Sequence, residues 1–296
     1  MSYLGIDIGT SGCKAVVFDC SGQILSSAHR TYPLLHPAPG RAELDSQVVI
    51  NACCEVIAET AQAVKADPVA ALGISSQGEA FTPVGANGAY LDNAMVSSDS
   101  RAVKLIEPFI EAFGAERLYR ITGHTSSPLF SLFKLLWLKK HRPEVWSKSA
   151  RFLCFEDLLH LRLGLEPAMG WPLAGRTMLF DVENHVWHPD ILAALELDAR
   201  RLARPLPSGS VAGIIPDRVA AELGLPRGVK VFTGGHDQTI GALGAGVIEP
   251  GTAMYAAGSV ECLCPVIPTL TLSDELCRNN LCCYDYSLPG AYTSVA

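Results

Sequence analysis

The stretch YLGIDIGTSGCKAVVFDCSGQIL, residues 3–25, constrains the fold more than any other part of this chain. Apolar runs alternate with turns of a few small residues. Connections that short cannot carry a crossover, so neighbouring strands must run antiparallel. We read strands over 2–8, 13–20 and 23–31. Downstream the period changes. From about Asp45, Val49, Cys53, Val56, Ile57 and Val64 fall on one helical face. VAALGISS (69–76) reads as a buried strand, and helices are expected over 101–113 and 130–141. A short strand over 152–155 leads into the helical EDLLHLRLG, and 216–223 look helical. GVKVFTGG (228–235) is a strand ending in glycines, and HDQTIGALGAG a helix of small residues. From Thr252 the pattern returns to strands. A meander followed by alternating helices and strands predicts an α/β domain with a mixed sheet and helices on both faces.

The 296 residues suffice for one large domain or two modest ones, and 49% hydrophobic with 18% charged residues suits a soluble core. A net charge of -7 offers no basic surface to nucleic acid or an anionic membrane. No apolar run is long enough to span a bilayer. Asp7 interrupts the first apolar run and no basic region precedes it, so a signal peptide is not expected and a cytoplasmic location is. The ten cysteines include Cys53-Cys54, Cys282-Cys283 and the spaced Cys262 and Cys264. None makes a C-x-x-C, so reduced, buried thiols are expected rather than a zinc site. The spacing gives no reason for the clustering of five of them between Cys262 and Cys283.

Asp7 ends the first strand beside a Gly-Thr-Ser-Gly turn. An isolated aspartate there would cap the turn. The alternative is a phosphate site. Turn N–H groups of Gly9, Thr10 and Ser11 can converge on phosphate oxygens. The Asp7 carboxylate would repel them unless Mg²⁺ lay between, often through its waters.

Further stretches match this opening in kind: GISSQGEAFTPV (73–84), SSDSRA (97–102), GRTMLFDVENHVW (175–187), TGGHDQTIGALGAG (233–246) and YAAGSVECL (255–263). With GIDIGTSGCKAVVFD they resemble, in order, the FGGY family of carbohydrate kinases, which includes glycerol kinases and xylulokinases. The resemblance implies two domains of the actin-like, ribonuclease H-like type with a cleft between them. It implies a sugar or polyol on the first domain, ATP mainly on the second, and Mg²⁺-assisted transfer of the γ-phosphoryl group to a hydroxyl. The family's base matches Asp237, a carboxylate able to take the hydroxyl proton. An N-cap role would suit the same position. Gln238, Gln77, Glu79, Asp99 and Arg101 match substrate contacts. Gly258 and Ser259 match the phosphate turn of the second domain, facing Asp7, Gly9, Thr10 and Ser11. Three positions depart from glycerol kinases: Gly78 where arginine is usual, Ser97 where tryptophan is usual, and Leu129 where an aromatic is usual. Gly78 is expected to widen the pocket, which argues for a larger ketose, sugar alcohol or sugar acid.

By the same resemblance, residues 1–242 are the sugar-binding domain and 243–296 the opening strands of an incomplete ATP-binding domain. Unpaired edges there could support a homodimer, and residues 1–296 alone are expected to be inactive. An actin-like regulator and a non-catalytic sugar-binding fragment are the alternatives on the same fold.

Overall fold

Alternation sets the first strand, β1 (Ser2–Ile8): Ser2, Leu4, Ile6 and Ile8 are buried, while Tyr3, Gly5 and Asp7 point to the other face. The computed structural model, which describes residues 1–257 and 261–295, pairs β1 antiparallel with β2 (Gly12–Phe18), and β2 with β3 (Ile24–Thr31). Gly12 is required here: a Cβ would lie 2.5 Å from the Arg30 carbonyl oxygen of the neighbouring strand. Helix α1 (Ser46–Ala63) begins where the Asp45 carboxylate accepts the Gln47 and Val48 amides. Val49, Cys53, Val56 and Ile57 form its buried face, as the 3.6-residue period predicts.

The chain then returns as β4 (Val69–Ser76), parallel to β1 with Ile6 opposite Ile74. A second pair, β5 (Phe81–Gly85) with β6 (Ser149–Cys154), brackets a group of helices that includes α2 (Ile106–Phe113), α3 (Ala115–Thr122) and α4 (Ser131–His141). The expected 101–113 helix starts later than predicted, after a short 3₁₀ turn. Gly114, at φ 96°, ends it and lets the separate α3 begin. Then follow α5 (Phe155–Arg162), α6 (Trp171–Gly175), β7 (Val211–Ile214), β8 (Lys230–His236) and α7 (Asp237–Gly244).

The main sheet has the order β7-β8-β4-β1-β2-β3. Its centre, β8-β4-β1, is parallel, and both flanks are antiparallel. The carboxyl ends of the three parallel strands therefore share one edge, with Asp7 opposite Ser75 and His236 opposite Ser76. That edge is where ligands collect in open α/β sheets.

After Thr252 the described residues form short strands, as the pattern predicts, with one helix among them. Ala253–Ala256 and Cys262–Pro265 close a local hairpin, and a helix over Asp274–Arg278 is capped by the Ser273 hydroxyl. Val247, Cys264, Val266, Tyr286 and Ala291 form a small apolar cluster with Ala242 of α7. The chain then folds back on α3: the Cys283 amide donates to the Gly123 carbonyl at 2.9 Å, and Tyr119 donates its hydroxyl to the Leu281 carbonyl at 3.0 Å. Of the ten cysteines, seven are buried, and Cys20 is exposed. Four of the five clustered ones, Cys262, Cys264, Cys282 and Cys283, are buried here.

Candidate active site

Asp7 and Asp237 stand on the walls of one cavity of about 970 Å³, with Lys14, Ser75, Thr233 and Gln238. Asp7 does not cap the following turn. The turn closes on itself through Gly9 N–H to the Gly12 carbonyl at 3.0 Å, and Tyr32 donates its hydroxyl to the Gly9 carbonyl at 2.7 Å. Asp7 instead accepts from the Ser75 hydroxyl at 2.7 Å, and desolvation by the cavity walls raises its pKa. Its carboxylate thus keeps free acceptor capacity toward the cavity.

Asp237 is the first residue of α7 and not its cap; His236 occupies the cap position. Its carboxylate accepts the adjacent Gln238 amide at 2.7 Å, and His236 Nε2 lies 3.2 Å from its Oδ1. Burial first, then the charges of Asp7 and Glu79, push its pKa up to about 7. The Gln238 side-chain oxygen beside it is buried without a hydrogen-bond partner.

Backbone packing aims Asp237. Strand β8 is irregular between Phe232 and Gly235. A Cβ on Gly234 would lie 1.8 Å from the Ile74 carbonyl oxygen, and one on Gly170 would lie 2.4 Å from that of Gly234. Only glycine allows these approaches. The buried Glu156 joins the two glycines, accepting Gly234 N–H at 2.8 Å and Gly170 N–H at 3.1 Å. Burial pushes its pKa up to about 7. The sequence reading missed Glu156; its signal is an acid directly after a buried strand, in FEDLLHLRLG.

Gln77 and Glu79 were expected on a cleft wall, and the structure buries both, at 3% and 2% exposure. Gln77 ties the turn to the end of β4: its amide donates to the Gly9 carbonyl at 2.9 Å, and its oxygen accepts from Thr10 at 3.1 Å. Glu79 takes the left-handed φ of 65° and accepts from Arg176 Nε at 2.6 Å. The Arg176 guanidinium lies 5.1 Å from the Phe130 ring and 5.8 Å from that of Tyr284.

The expected widening at Gly78 is not found. A Cβ there would meet the His236 ring at 3.0 Å and Arg176 Cβ at 3.6 Å, so these residues fill the room. A guanidinium nevertheless stands beside Glu79, that of Arg176, and it lies against the ring of Phe130, next to Leu129.

Asp99 and Arg101 come together away from the cavity. Arg101 Nε reaches both Asp99 oxygens, at 2.8 and 2.9 Å, while its terminal nitrogen donates to Glu43 at 2.6 Å. Asp99 also accepts the Ala42 amide at 2.8 Å, and Arg101 lies 4.9 Å from the Trp137 ring. Gly258 and Ser259 lie outside the described residues.

No three His, Cys, Asp or Glu side chains converge as a metal cage among the described residues. Asp7 nevertheless fits a hydrated divalent cation. It faces the cavity with acceptor capacity left, and its charge raises the pKa of Asp237, a like-charge strain that a cation would relieve.

Residues 2–244 match the FGGY family of carbohydrate kinases, N-terminal domain. A xylulose kinase of Staphylococcus epidermidis is 30% identical over 292 residues, covering 98% of this chain and 57% of the relative. The structure of a xylulose kinase from Rhodospirillum rubrum superposes with a TM-score of 0.93 at 23% identity, over 100% of this chain and 60% of that one. That of a gluconate kinase from Lactobacillus acidophilus gives 0.91 at 22%, over 99% and 59%. These likenesses establish the actin-like, ribonuclease H-like α/β fold. The chain spans little more than half the length of the curated relatives it matches, 52% for a Bacillus subtilis xylulose kinase.

Proposed function

Because this chain belongs to the FGGY family of carbohydrate kinases, we propose that it carries the sugar site and catalytic base of an enzyme that phosphorylates a hydroxyl of a sugar, sugar alcohol or sugar acid. The observation that carries this reading is the placement of Asp237. Its carboxylate stands at the carboxyl edge of the parallel strands, keeps acceptor capacity beyond the neighbouring Gln238 amide, and has its pKa pushed up to about 7. A base with that pKa is ionised in about half of the molecules at neutral pH and holds a transferred hydroxyl proton more readily than an ordinary carboxylate.

In this reading Asp237 receives the substrate hydroxyl proton as phosphoryl transfer proceeds. The unpartnered Gln238 oxygen accepts from a hydroxyl, and Glu79, held rigid by Arg176, presents its remaining acceptor capacity to another. Gln77, whose polar atoms are already paired, holds the Gly9–Thr10 turn against the end of β4, while Asp99 and Arg101 pair with each other and with Glu43 away from the cavity. Bound Mg-ATP would supply the transferable phosphoryl group and neutralise its charge. Asp7 would hold the cation, and the Thr10 and Ser11 amides, with Gly258 and Ser259, would take the phosphates; the expected Gly9 amide is already paired with the Gly12 carbonyl. We retain the division at residues 242/243, two residues from the end of the family match. A cytoplasmic location, and a homodimer through the hairpin that exposes Tyr255 and Leu263, belong to the same reading.

Asp237→Asn is the test. In a catalytically competent polypeptide it should leave sugar binding within about twofold and lower sugar-dependent ADP release by about 10²–10⁴-fold. Retention of more than a tenth of the parent turnover would overturn the assignment.

A further inference from the structure

His236 precedes the proposed base, and each of its ring nitrogens has a polar neighbour: Nδ1 in a hydrogen bond, Nε2 in a close approach to a carboxylate. Nδ1 lies 3.2 Å from the Tyr284 hydroxyl, and Nε2 lies 3.2 Å from Asp237 Oδ1. Tyr284 is fully buried, and His236 is its hydroxyl's one hydrogen-bond partner among the described residues. A buried phenol hydroxyl donates its proton where an acceptor is in reach. The acceptor here is Nδ1, which leaves the ring proton on Nε2, facing Asp237.

We propose that His236 is a positioning residue for Asp237: it presents Nε2–H to the carboxylate, and Tyr284 fixes that tautomer from the opposite side of the ring. The proposal rests on the reading of Asp237 as the base. The groups facing His236 support it. Arg176 and burial keep the ring uncharged, and His124, whose ring lies 4.8 Å from that of Tyr284, is held neutral in the same way. Glu79 is paired with Arg176, and among the described residues no hydrogen bond or ion pair joins it to His236. The ring is also fixed sterically over Gly78. Tyr284 lies beyond the matched family domain, so the segment after residue 244 contributes to the site through it.

The experiment uses the full chain with ¹⁵N-histidine and ¹³C-carboxyl aspartate, and needs no turnover. Long-range ¹⁵N–¹H spectra should show His236 as a single Nε2–H tautomer between pH 6 and 8. Tyr284→Phe, which keeps the ring packing, should turn it into a mixture. His236→Leu should lower the acid constant of Asp237 about three- to tenfold, because a donor to the ionised carboxylate is lost. His236→Gln, which can place an amide donor near Nε2, should hold it within about twofold of the parent. An Nδ1–H tautomer, a tautomer unchanged in Tyr284→Phe, or equal titrations in the Leu and Gln variants would overturn the proposal. Persistence of turnover in Asp237→Asn would instead sink the base assignment while leaving the His236 contact standing.

Discussion

Raising the Asp237 pKa from 3.8 to about 7 sets its ionisation against folding. The folded state holds the proton more tightly than the unfolded chain, so this group's contribution to stability falls as pH rises between those values and is level above them. Asp237→Asn removes that contribution. The variant should be more stable than the parent, by an amount that grows across that interval and reaches on the order of 1–2 kcal/mol at pH 8 after allowance for solvent screening. Thermal denaturation at pH 5 and pH 8 checks this; an equal gain at both would mean that Asp237 titrates normally. Glu79 behaves differently. From sequence alone, Glu79→Ala should weaken sugar binding without unfolding the protein. The structure adds a stability cost, because the change strands the buried Arg176 guanidinium. A loss of about 3–5 kcal/mol is expected. Urea unfolding would read it, and a loss below about 1 kcal/mol would show that the pair is not formed in solution.

Strand β8 is held in an irregular path so that α7 can start with Asp237 at the sheet edge. Three contacts enforce that path: Gly234 against the Ile74 carbonyl, Gly170 against Gly234, and Glu156 bridging both amides. Gly234→Ala should therefore cost about 3 kcal/mol or more, since the added Cβ would displace the Ile74 backbone of the neighbouring strand. Glu156→Ala should cost roughly 2–4 kcal/mol by leaving two buried amides unpaired, with Glu156→Gln in between. Urea midpoints of the three variants give the order directly. If Glu156→Ala were harmless, the bridge would not be what fixes β8.

Across the whole molecule, the sugar contacts and base that we propose lie within residues 1–242, while relatives extend over nearly twice this chain's length. We expect residues 1–296 by themselves to bind sugar without turning it over. Phosphoryl transfer depends on positioning and charge neutralisation from two walls, followed by exclusion of water. Calorimetry with a sugar panel and an ADP-release assay on the same sample would decide it. Sugar-dependent turnover within tenfold of a kinase of the relatives' length would show that one wall suffices.

The local elements and the positions of Asp7 and Asp237 were legible in the sequence because they depend on short-range physics. Short turns force the antiparallel meander, period 2 buries one face of β1, and period 3.6 buries one face of α1. Gly-Gly before Asp237 announces a backbone too crowded for side chains. The pairing of Glu79 with Arg176, 97 residues apart, was not legible, nor was the return of Tyr284 to His236. No local pattern encodes which distant side chain fills the space above Gly78. That was decided when the helices and the tail packed onto the sheet edge, because a buried charge or hydroxyl must find its partner among the groups that the assembled core brings within reach.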